Sequence, residues 1–278
     1  MRTRFHHLLI IPILLLAGCS NNSEVSTATV FPLAMTNTLA PSLIPTQTAT
    51  APSPTPTKVL IDQVCSPIRG INFSELPNIV SYTYTSPSPY VESGHPAIDL
   101  GLYHYKDYSF FPSFPIQAII SGKAVLVQQD LNPYGNMIMT ETRFSELQPS
   151  FLSSITQPTP LPPSYITIDE RCPVSGPAIT WNKEELSLYV LYAHMVEKPD
   201  LKPGDQVACG QFLGNAGKSG HAAEEHLHLE IRIGPSNASF KSIAAYKQPA
   251  SPAERYNYCI WALSGVFQSI DPSILLFR

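Results

Sequence analysis

Three separate segments of the sequence carry histidine and aspartate residues at spacings that could form a metal site. His226 and His228 lie two residues apart in a run that alternates polar and apolar residues, which predicts a half-buried β-strand. Side chains at this spacing point to one face of a strand, roughly 6 to 7 Å apart. His95 precedes Asp99 by four residues, and His194 ends an apolar, strand-like run. Each segment is a weak signal alone, but together they supply metal ligands and proton-transfer groups for one site.

The order of these segments resembles that of the lysostaphin-like M23 zinc metallopeptidases. The sequence contains a His-x3-Asp pair, a Tyr-Ala-His strand end, a glycine-rich turn and a His-Leu-His strand, in that order. Further stretches similar to the family lie at 114–118, 122–125, 134–136 and 202–214, so the resemblance runs from about residue 65 to residue 233. It implies an all-β fold, with an antiparallel, sandwich- or barrel-like core, long loops and little helix.

The resemblance also implies a role for each of the five residues. His95, Asp99 and His228 would bind one zinc ion, and His194 and His226 would act in catalysis beside it. Three protein ligands leave a fourth tetrahedral position open, which is typical of a catalytic zinc site. The implied activity is that of a metalloendopeptidase that cleaves peptidoglycan, in a stem-peptide cross-link or a bridge, with a metal-activated water. Which histidine is the general base and which stabilises the oxyanion is left open.

Two further residues are weaker candidates for the same site. Glu230 lies on the strand face of His228 and could orient that ligand as a hydrogen-bond acceptor, or it could be a solvated strand residue. Tyr90, five residues before His95, is a candidate substrate contact. Residues 222–225 and a long insertion at about 142–185 depart from the family pattern, and this leaves the exact substrate bond open.

The elements that must position these residues are predicted to be short strands. Beyond Val59, apolar or alternating runs are separated by Gly, Pro, Asn and Ser, a pattern that indicates a β-rich domain. The predicted strands are 116–120, 122–128, 136–141, 186–194, 206–208, 211–215 and 226–233. Only 244–256 is predicted to be partly helical, and the proline-bearing insertion is predicted to be a long loop.

The first 58 residues are predicted to target and tether the catalytic domain, which would span residues 59–278. Arg2 and Arg4 precede an apolar run that is too short for a membrane-spanning helix, which predicts a signal peptide over residues 1–18. The run ends in Leu-Ala-Gly-Cys and resembles a bacterial lipobox, so Cys19 is expected to carry a lipid and to anchor the protein outside the cytoplasm. The alternative is an ordinary cleavable signal with a chance cysteine. Residues 19–58 are rich in Ser, Thr and Pro, which indicates a disordered tether.

The remaining four cysteines, Cys65, Cys172, Cys209 and Cys259, are an even number in a chain expected in an oxidising compartment. Two disulfides are therefore plausible, with buried free thiols as the alternative. Four cysteines allow three connectivities, and the sequence does not choose among them.

The net charge of the chain limits the kinds of partner that it could bind. A formal net charge of −4 over 278 residues, with scattered Lys and Arg, gives no basic footprint for nucleic acid. Peptidoglycan and the membrane that holds Cys19 are the expected partners, and oligomeric state is not predicted.

The alternative to a zinc endopeptidase is a catalytically inactive module of the same fold that binds or activates other cell-wall hydrolases. Because all five site positions hold competent residues, the enzyme is favoured.

Overall fold

Strands form most of the regular structure in the part of the chain that the structure describes. The computed structural model describes residues 59–88, 91–103, 105–155, 172, 176, 179–245 and 250–277. The strands are β1 (Val80–Tyr82), β2 (Ala97–Leu100), β3 (Pro115–Gln117), β4 (Gly122–Leu131), β5 (Gly135–Arg143), β6 (Asn182–Met195), β7 (Gln206–Val207), β8 (Phe212–Asn215), β9 (Leu227–Ser236) and β10 (Gln268–Ile270). The expected signal peptide, Cys19, the tether and Tyr90 lie outside the described residues.

Eight of these strands form one antiparallel sheet. Its order is β1-β2-β9-β6-β5-β4-β7, and β10 pairs with the second half of β9, while β3 and β8 form a separate two-stranded sheet. The β-rich, antiparallel fold expected from the sequence is therefore confirmed. None of the helices in the described ranges is both long and apolar enough to cross a membrane.

Helices are few and short in the described residues. Two 3-10 helices occupy Phe73–Ile79 and Phe144–Glu146, and the α-helices are α1 (Pro149–Ser153), α2 (Pro252–Ala262) and α3 (Ser273–Leu276). The prediction that 244–256 is partly helical holds for its last five residues, because α2 begins at Pro252 and continues to Ala262. Ser251 caps it: its hydroxyl accepts from the Glu254 N–H, and the Glu254 carboxylate accepts from the Ser251 N–H. This capping box, with proline at the first helical position, fixes where α2 starts.

Some strand limits also differ from the predicted ones. The strand expected over 116–120 ends at Gln117, and β6 begins at Asn182, so the expected insertion ends before residue 185. The strands β1, β2 and β10 were not predicted. They are three or four residues long, which is too short for an alternating pattern to be distinguished from loop sequence.

Apolar side chains cover both faces of the large sheet. On one face, Ile98, Tyr192 and Leu229 pack with Leu76 and Ile116. On the other, Met137 and Leu191 pack with Trp261 and Phe267 from the C-terminal region. Each large apolar side chain buried in this way stabilises the fold by about 1.5–3 kcal/mol.

The prediction that β9 is half-buried is wrong. Leu227, Leu229 and Ile231 face the first apolar layer, as their alternation predicts, but Glu230 and Arg232 on the opposite face are only 1% and 2% exposed. Residues of α2 and of the segment after it cover this second face, and their hydrogen bonds to Arg232 compensate the charge there. The polar residues of β9 therefore lie inside the protein.

Two disulfides link distant parts of the chain. Cys65 is bonded to Cys209, and Cys172 is bonded to Cys259 of α2. The first bond closes a segment of 144 residues that contains most of the sheet. A crosslink over such a distance removes conformations mainly from the unfolded chain.

We expect the loss of the Cys65–Cys209 bond to lower the free energy of unfolding by about 2–5 kcal/mol, because the unfolded chain regains conformational entropy. The measurement is urea denaturation of the full-length chain carrying both Cys65→Ala and Cys209→Ala. Cys65→Ala alone is the control and should lose as much, since either change removes the bond. An unchanged denaturation midpoint in the double variant would contradict the prediction.

Candidate metal centre

The pairing of β2 with β9 places Asp99 beside His228. The two residues are direct partners in the strand register, and Asp99 Oδ1 lies 2.9 Å from His228 Nδ1. The other carboxylate oxygen, Oδ2, lies 3.3 Å from His95 Nε2 and 3.6 Å from His226 Nε2. One carboxylate therefore contacts three imidazoles.

His95 is held at the start of β2 by backbone contacts. It bridges to Thr85, and its Nδ1 lies 3.1 Å from the Thr83 carbonyl oxygen. A carbonyl oxygen can only accept, so Nδ1 donates to it, and Nε2 is the ring nitrogen that faces Asp99. Gly94 must be glycine here, because φ is +69° and a Cβ atom would lie 2.6 Å from the Thr85 oxygen.

His194 lies at a bulge at the end of β6. On β5, Asn136 pairs with Met195 of β6. Ile138, two residues later, pairs with Tyr192, three residues earlier, so β6 has one extra residue between the pairs. His194 adopts a φ of +62°, a left-handed conformation that is uncommon for a residue other than glycine. The bulge and the unusual φ redirect the imidazole toward the other histidines, as bulges beside active sites often do.

The rings of His194 and His226 have their proton positions set by the backbone. His194 Nδ1 donates to the Ser219 carbonyl and His226 Nδ1 donates to the Glu224 carbonyl, each over 2.8 Å. In the neutral form of either ring, Nε2 is therefore the unprotonated nitrogen. The two ring centroids are 4.8 Å apart, so both imidazoles lie beside the same small volume.

A close backbone approach holds the loop that carries Ser219. Gly135, with φ of +68°, has no room for a Cβ atom, which would lie 2.3 Å from the Ser219 carbonyl carbon. The Ser219 hydroxyl accepts from the Asn136 N–H at 2.8 Å and donates to the Met195 carbonyl at 2.7 Å. The loop is thereby fixed to β5 and β6, and with it the acceptor of His194.

Two factors shift the pKa values in the cluster: burial of its side chains and hydrogen bonds to carboxylates, above all that of Asp99, which contacts three of the imidazoles. Burial, with the charges of His228 and His226, lowers the pKa of His194 to about 3, so this ring is neutral near pH 7. Burial opposes a charge on His228, but hydrogen bonds to Asp99 and Glu230 outweigh it and raise its pKa to about 9. Burial raises the pKa of Asp99, yet hydrogen bonds from His228 and His95 hold it well below its usual range. The carboxylate is therefore ionised.

His95, Asp99 and His228 could hold a metal ion. Their nearest ligand atoms lie within 4.8 Å of one another, and so do those of His194, His226 and His228. Ligands of a tetrahedral zinc ion, at distances of about 2.0–2.2 Å, are themselves separated by about 3.3 Å. The observed 3.3 Å and 2.9 Å from the Asp99 oxygens to His95 and His228 are close to this separation. The donor set of two imidazoles and a carboxylate fits zinc.

The groove around the cluster contains residues that the sequence reasoning missed. Tyr82, Tyr134, His221 and Tyr258 line it, and the Tyr82 ring meets the His95 ring edge-on at 4.6 Å. Tyr258 of α2 donates to Glu92, another lining residue, at 2.6 Å. The Tyr134-Gly135-Asn136 turn carried a signal, since it belongs to the stretches that resemble the family. Tyr258 carried none, because it is distant in sequence and reaches the groove only through packing.

A comparison with protein families finds a match to peptidase family M23 over residues 172–240. The matched segment is less than half of the chain. It contains His194, His226 and His228, while His95 and Asp99 precede it. The segment is thus similar to a family of peptidases.

Similar solved structures include three peptidases of low identity. The catalytic domain of lysostaphin from Staphylococcus simulans is 19% identical, with 73% of this chain and 96% of that chain covered and a TM-score of 0.37. A mutant catalytic domain of the prophage-encoded M23 protein EnpA from Enterococcus faecalis is 19% identical, covering 58% and 85%, with a TM-score of 0.33. A putative M23 peptidase from Pseudomonas aeruginosa is 16% identical, covering 77% and 54%, with a TM-score of 0.31. At these values the similarity supports no conclusion about activity or substrate.

We expect Asp99→Ala to weaken zinc binding by at least about 100-fold, because it removes a proposed ligand rather than one of that ligand's hydrogen-bond partners. Competition of the full-length chain with a chromogenic zinc chelator measures the dissociation constant. Asp200→Ala, an exposed aspartate in the loop after β6, is the matched control and should bind zinc as the wild type does. Equal zinc affinity in both variants would show that Asp99 is not a ligand.

Proposed function

We propose that this protein is a zinc-dependent endopeptidase of the M23 type that hydrolyses peptide bonds of peptidoglycan. One observation carries the proposal: strand pairing brings the ligand atoms of His95, Asp99 and His228 within 4.8 Å of one another. His194 and His226 lie directly beside this set, with ring centroids 5.4 Å (His194 to His228) and 4.8 Å (His194 to His226) apart. The family match to residues 172–240 supports the class of peptidase.

In this proposal His95 Nε2, His228 Nδ1 and the Asp99 carboxylate hold the zinc ion. When bound, zinc acts as a Lewis acid that polarises a peptide carbonyl and makes water a stronger acid. Each imidazole turns its ligand nitrogen toward the site, because the other ring nitrogen donates to an acceptor, the Thr83 carbonyl or Glu230, and the proton that His228 Nδ1 shares with Asp99 must leave when zinc binds. No rearrangement of the hydrogen bonds to Thr83 and Glu230 is needed.

His194 and His226 then serve the proton transfers. Each ring has its Nδ1 proton committed to a backbone carbonyl and leaves Nε2 to accept or donate a proton in the groove. One such ring can take up the proton of the attacking water on Nε2, and a ring protonated at Nε2 can donate to the oxyanion that develops on the peptide carbonyl. Neither ring can rotate freely, so both groups are positioned before substrate binds.

The substrate and location follow from the same proposal. The groove is open to solvent, as cleavage within a cross-linked polymer requires, and the family similarity favours peptidoglycan. The two disulfides suit an oxidising compartment outside the cytoplasm. We further propose that residues 1–18 are a signal peptide and that Cys19 carries a lipid, which would hold the enzyme at a membrane facing the wall.

The activity is tested by release of soluble fragments from isolated cell walls. We expect the wild type to release peptide fragments with new amino termini, and His194→Ala to retain zinc while losing this release, because only a proton-transfer group is removed. Asp200→Ala is the control and should cleave as the wild type does. Zinc binding by the wild type without any cleavage of walls from several bacterial types would contradict the enzyme and favour the inactive module that activates other hydrolases.

Metal removal gives a second prediction. We expect dialysis against a chelator to abolish wall cleavage, and zinc added back in stoichiometric amount to restore it, because two apolar layers and two disulfides stabilise the fold apart from the ion. Fragment release before and after zinc addition is the measurement, with circular dichroism to show that the strands persist. Full activity in protein shown by elemental analysis to be metal-free would exclude zinc from the reaction.

A further inference from the structure

A buried polar network lies beneath His228 and is not part of the five-residue cluster. His228 Nε2 contacts Glu230 Oε1 at 3.2 Å, and the Tyr134 hydroxyl donates to the same oxygen at 2.7 Å. Arg232 Nε donates to Glu230 Oε2 at 2.8 Å, and Trp261 Nε1 donates to the Tyr134 hydroxyl at 3.2 Å. The network therefore runs from a helix, α2, to a proposed metal ligand.

The charges in this network are held by the C-terminal region. Glu230 and Arg232 are almost completely buried, and an unpaired charge at such a depth costs several kcal/mol. Arg232 Nη1 donates to the carbonyls of Trp261 and Phe267, each at 3.1 Å, and its guanidinium lies 4.9 Å from the centre of the Trp261 ring. The partner of Glu230 is thus fixed by residues at the end of α2 and before β10.

The geometry points to a positioning role: we propose that α2 and the residues after it hold His228 in its ligand orientation through Tyr134, Glu230 and Arg232. This proposal rests on the proposed function, because it takes His228 as a zinc ligand. A carboxylate that accepts from Nε2 keeps the proton on that nitrogen and leaves Nδ1 to face Asp99 and the ion. Tyr134 and Arg232, each donating to a different oxygen, fix the orientation of that carboxylate.

The role reaches beyond the segment that matches the peptidase family. Trp261 and Phe267 lie after residue 240 and Tyr134 lies before residue 172, so three members of the network are outside the match. Residues outside the matched segment therefore complete the support of the ligand. Partners that orient a metal ligand typically change metal affinity by about 10- to 100-fold when they are removed.

Tyr134→Phe tests the proposal, because it deletes only the hydroxyl that joins Trp261 to Glu230. We expect the zinc dissociation constant of the full-length chain to rise by about 10- to 100-fold in chelator competition. Trp261→Phe, which removes the donor to that hydroxyl, should shift it in the same direction. The matched control is Tyr192→Phe: Tyr192 is also fully buried, and its hydroxyl accepts from the Ile119 N–H on the opposite face of the sheet.

Stability is measured in parallel, as the urea midpoint of each metal-free variant. If Tyr134 has a purely structural role, Tyr134→Phe lowers the urea midpoint as much as Tyr192→Phe does and leaves the zinc affinity unchanged. This result would overturn the proposal. Weaker zinc binding in Tyr134→Phe than in Tyr192→Phe, at similar urea midpoints, would support it. A wild type that binds no zinc at all is a different result, because it contradicts the proposed function itself.

Discussion

The pairing register of β2, β9 and β6 determines the distances on which the candidate metal centre depends. His228 on the central strand β9 is opposite Asp99 on one side and Ala193 on the other, so the residue after Ala193, His194, arrives at the same point. A slip of one residue would turn Asp99 or His228 to the opposite face of the sheet. The apolar alternation of β9 resists such a slip, because it would move Leu229 and Ile231 out of the first apolar layer and place Glu230 and Arg232 there without their hydrogen-bond partners. The core that stabilises the sheet therefore also sets the geometry of the site.

The burial of two charged side chains of β9 is the second constraint on the structure. It links the candidate metal centre to the C-terminal region, which contains α2. β9 carries a carboxylate and a guanidinium into a region where neither has water, so each requires a fixed partner. Glu230 accepts hydrogen bonds from Arg232 and Tyr134 and contacts His228. Arg232 donates to a backbone carbonyl of the segment that covers this face of the sheet. The helix that covers this face is itself bonded to Cys172. Packing, ion pairing and a covalent crosslink thus act on the same strand face.

The fold class, and the fact that the five candidate residues lie together, could be predicted because their signals are local in sequence. Alternation marks β9, and the spacings within His95 to Asp99 and His226 to His228 carry chemistry without any knowledge of tertiary structure. The burial of Glu230 could not be predicted, because what covers it lies some thirty residues further along the chain. Likewise, the bulge at His194 depends on the register of β6 with β5, and this register cannot be predicted from the sequence of one strand alone. The start of α2 is marked in the sequence by Ser251, Pro252 and Glu254, whereas the prediction gave only a partly helical range without a boundary.

The bond between Cys65 and Cys209 has a mechanical consequence. Tension applied to the domain from its N-terminal side would enter the described structure at residue 59 and could peel away only the few residues before Cys65. Within that stretch the backbone is held by hydrogen bonds such as that from the Ile61 N–H to the Glu146 carbonyl, which separate one at a time. At Cys65 the load passes into a covalent bond and from there to the loop before β8. Pulling at that end would therefore strain the body of the domain as a unit, without first separating the short strand β1 from β2, which carries Asp99.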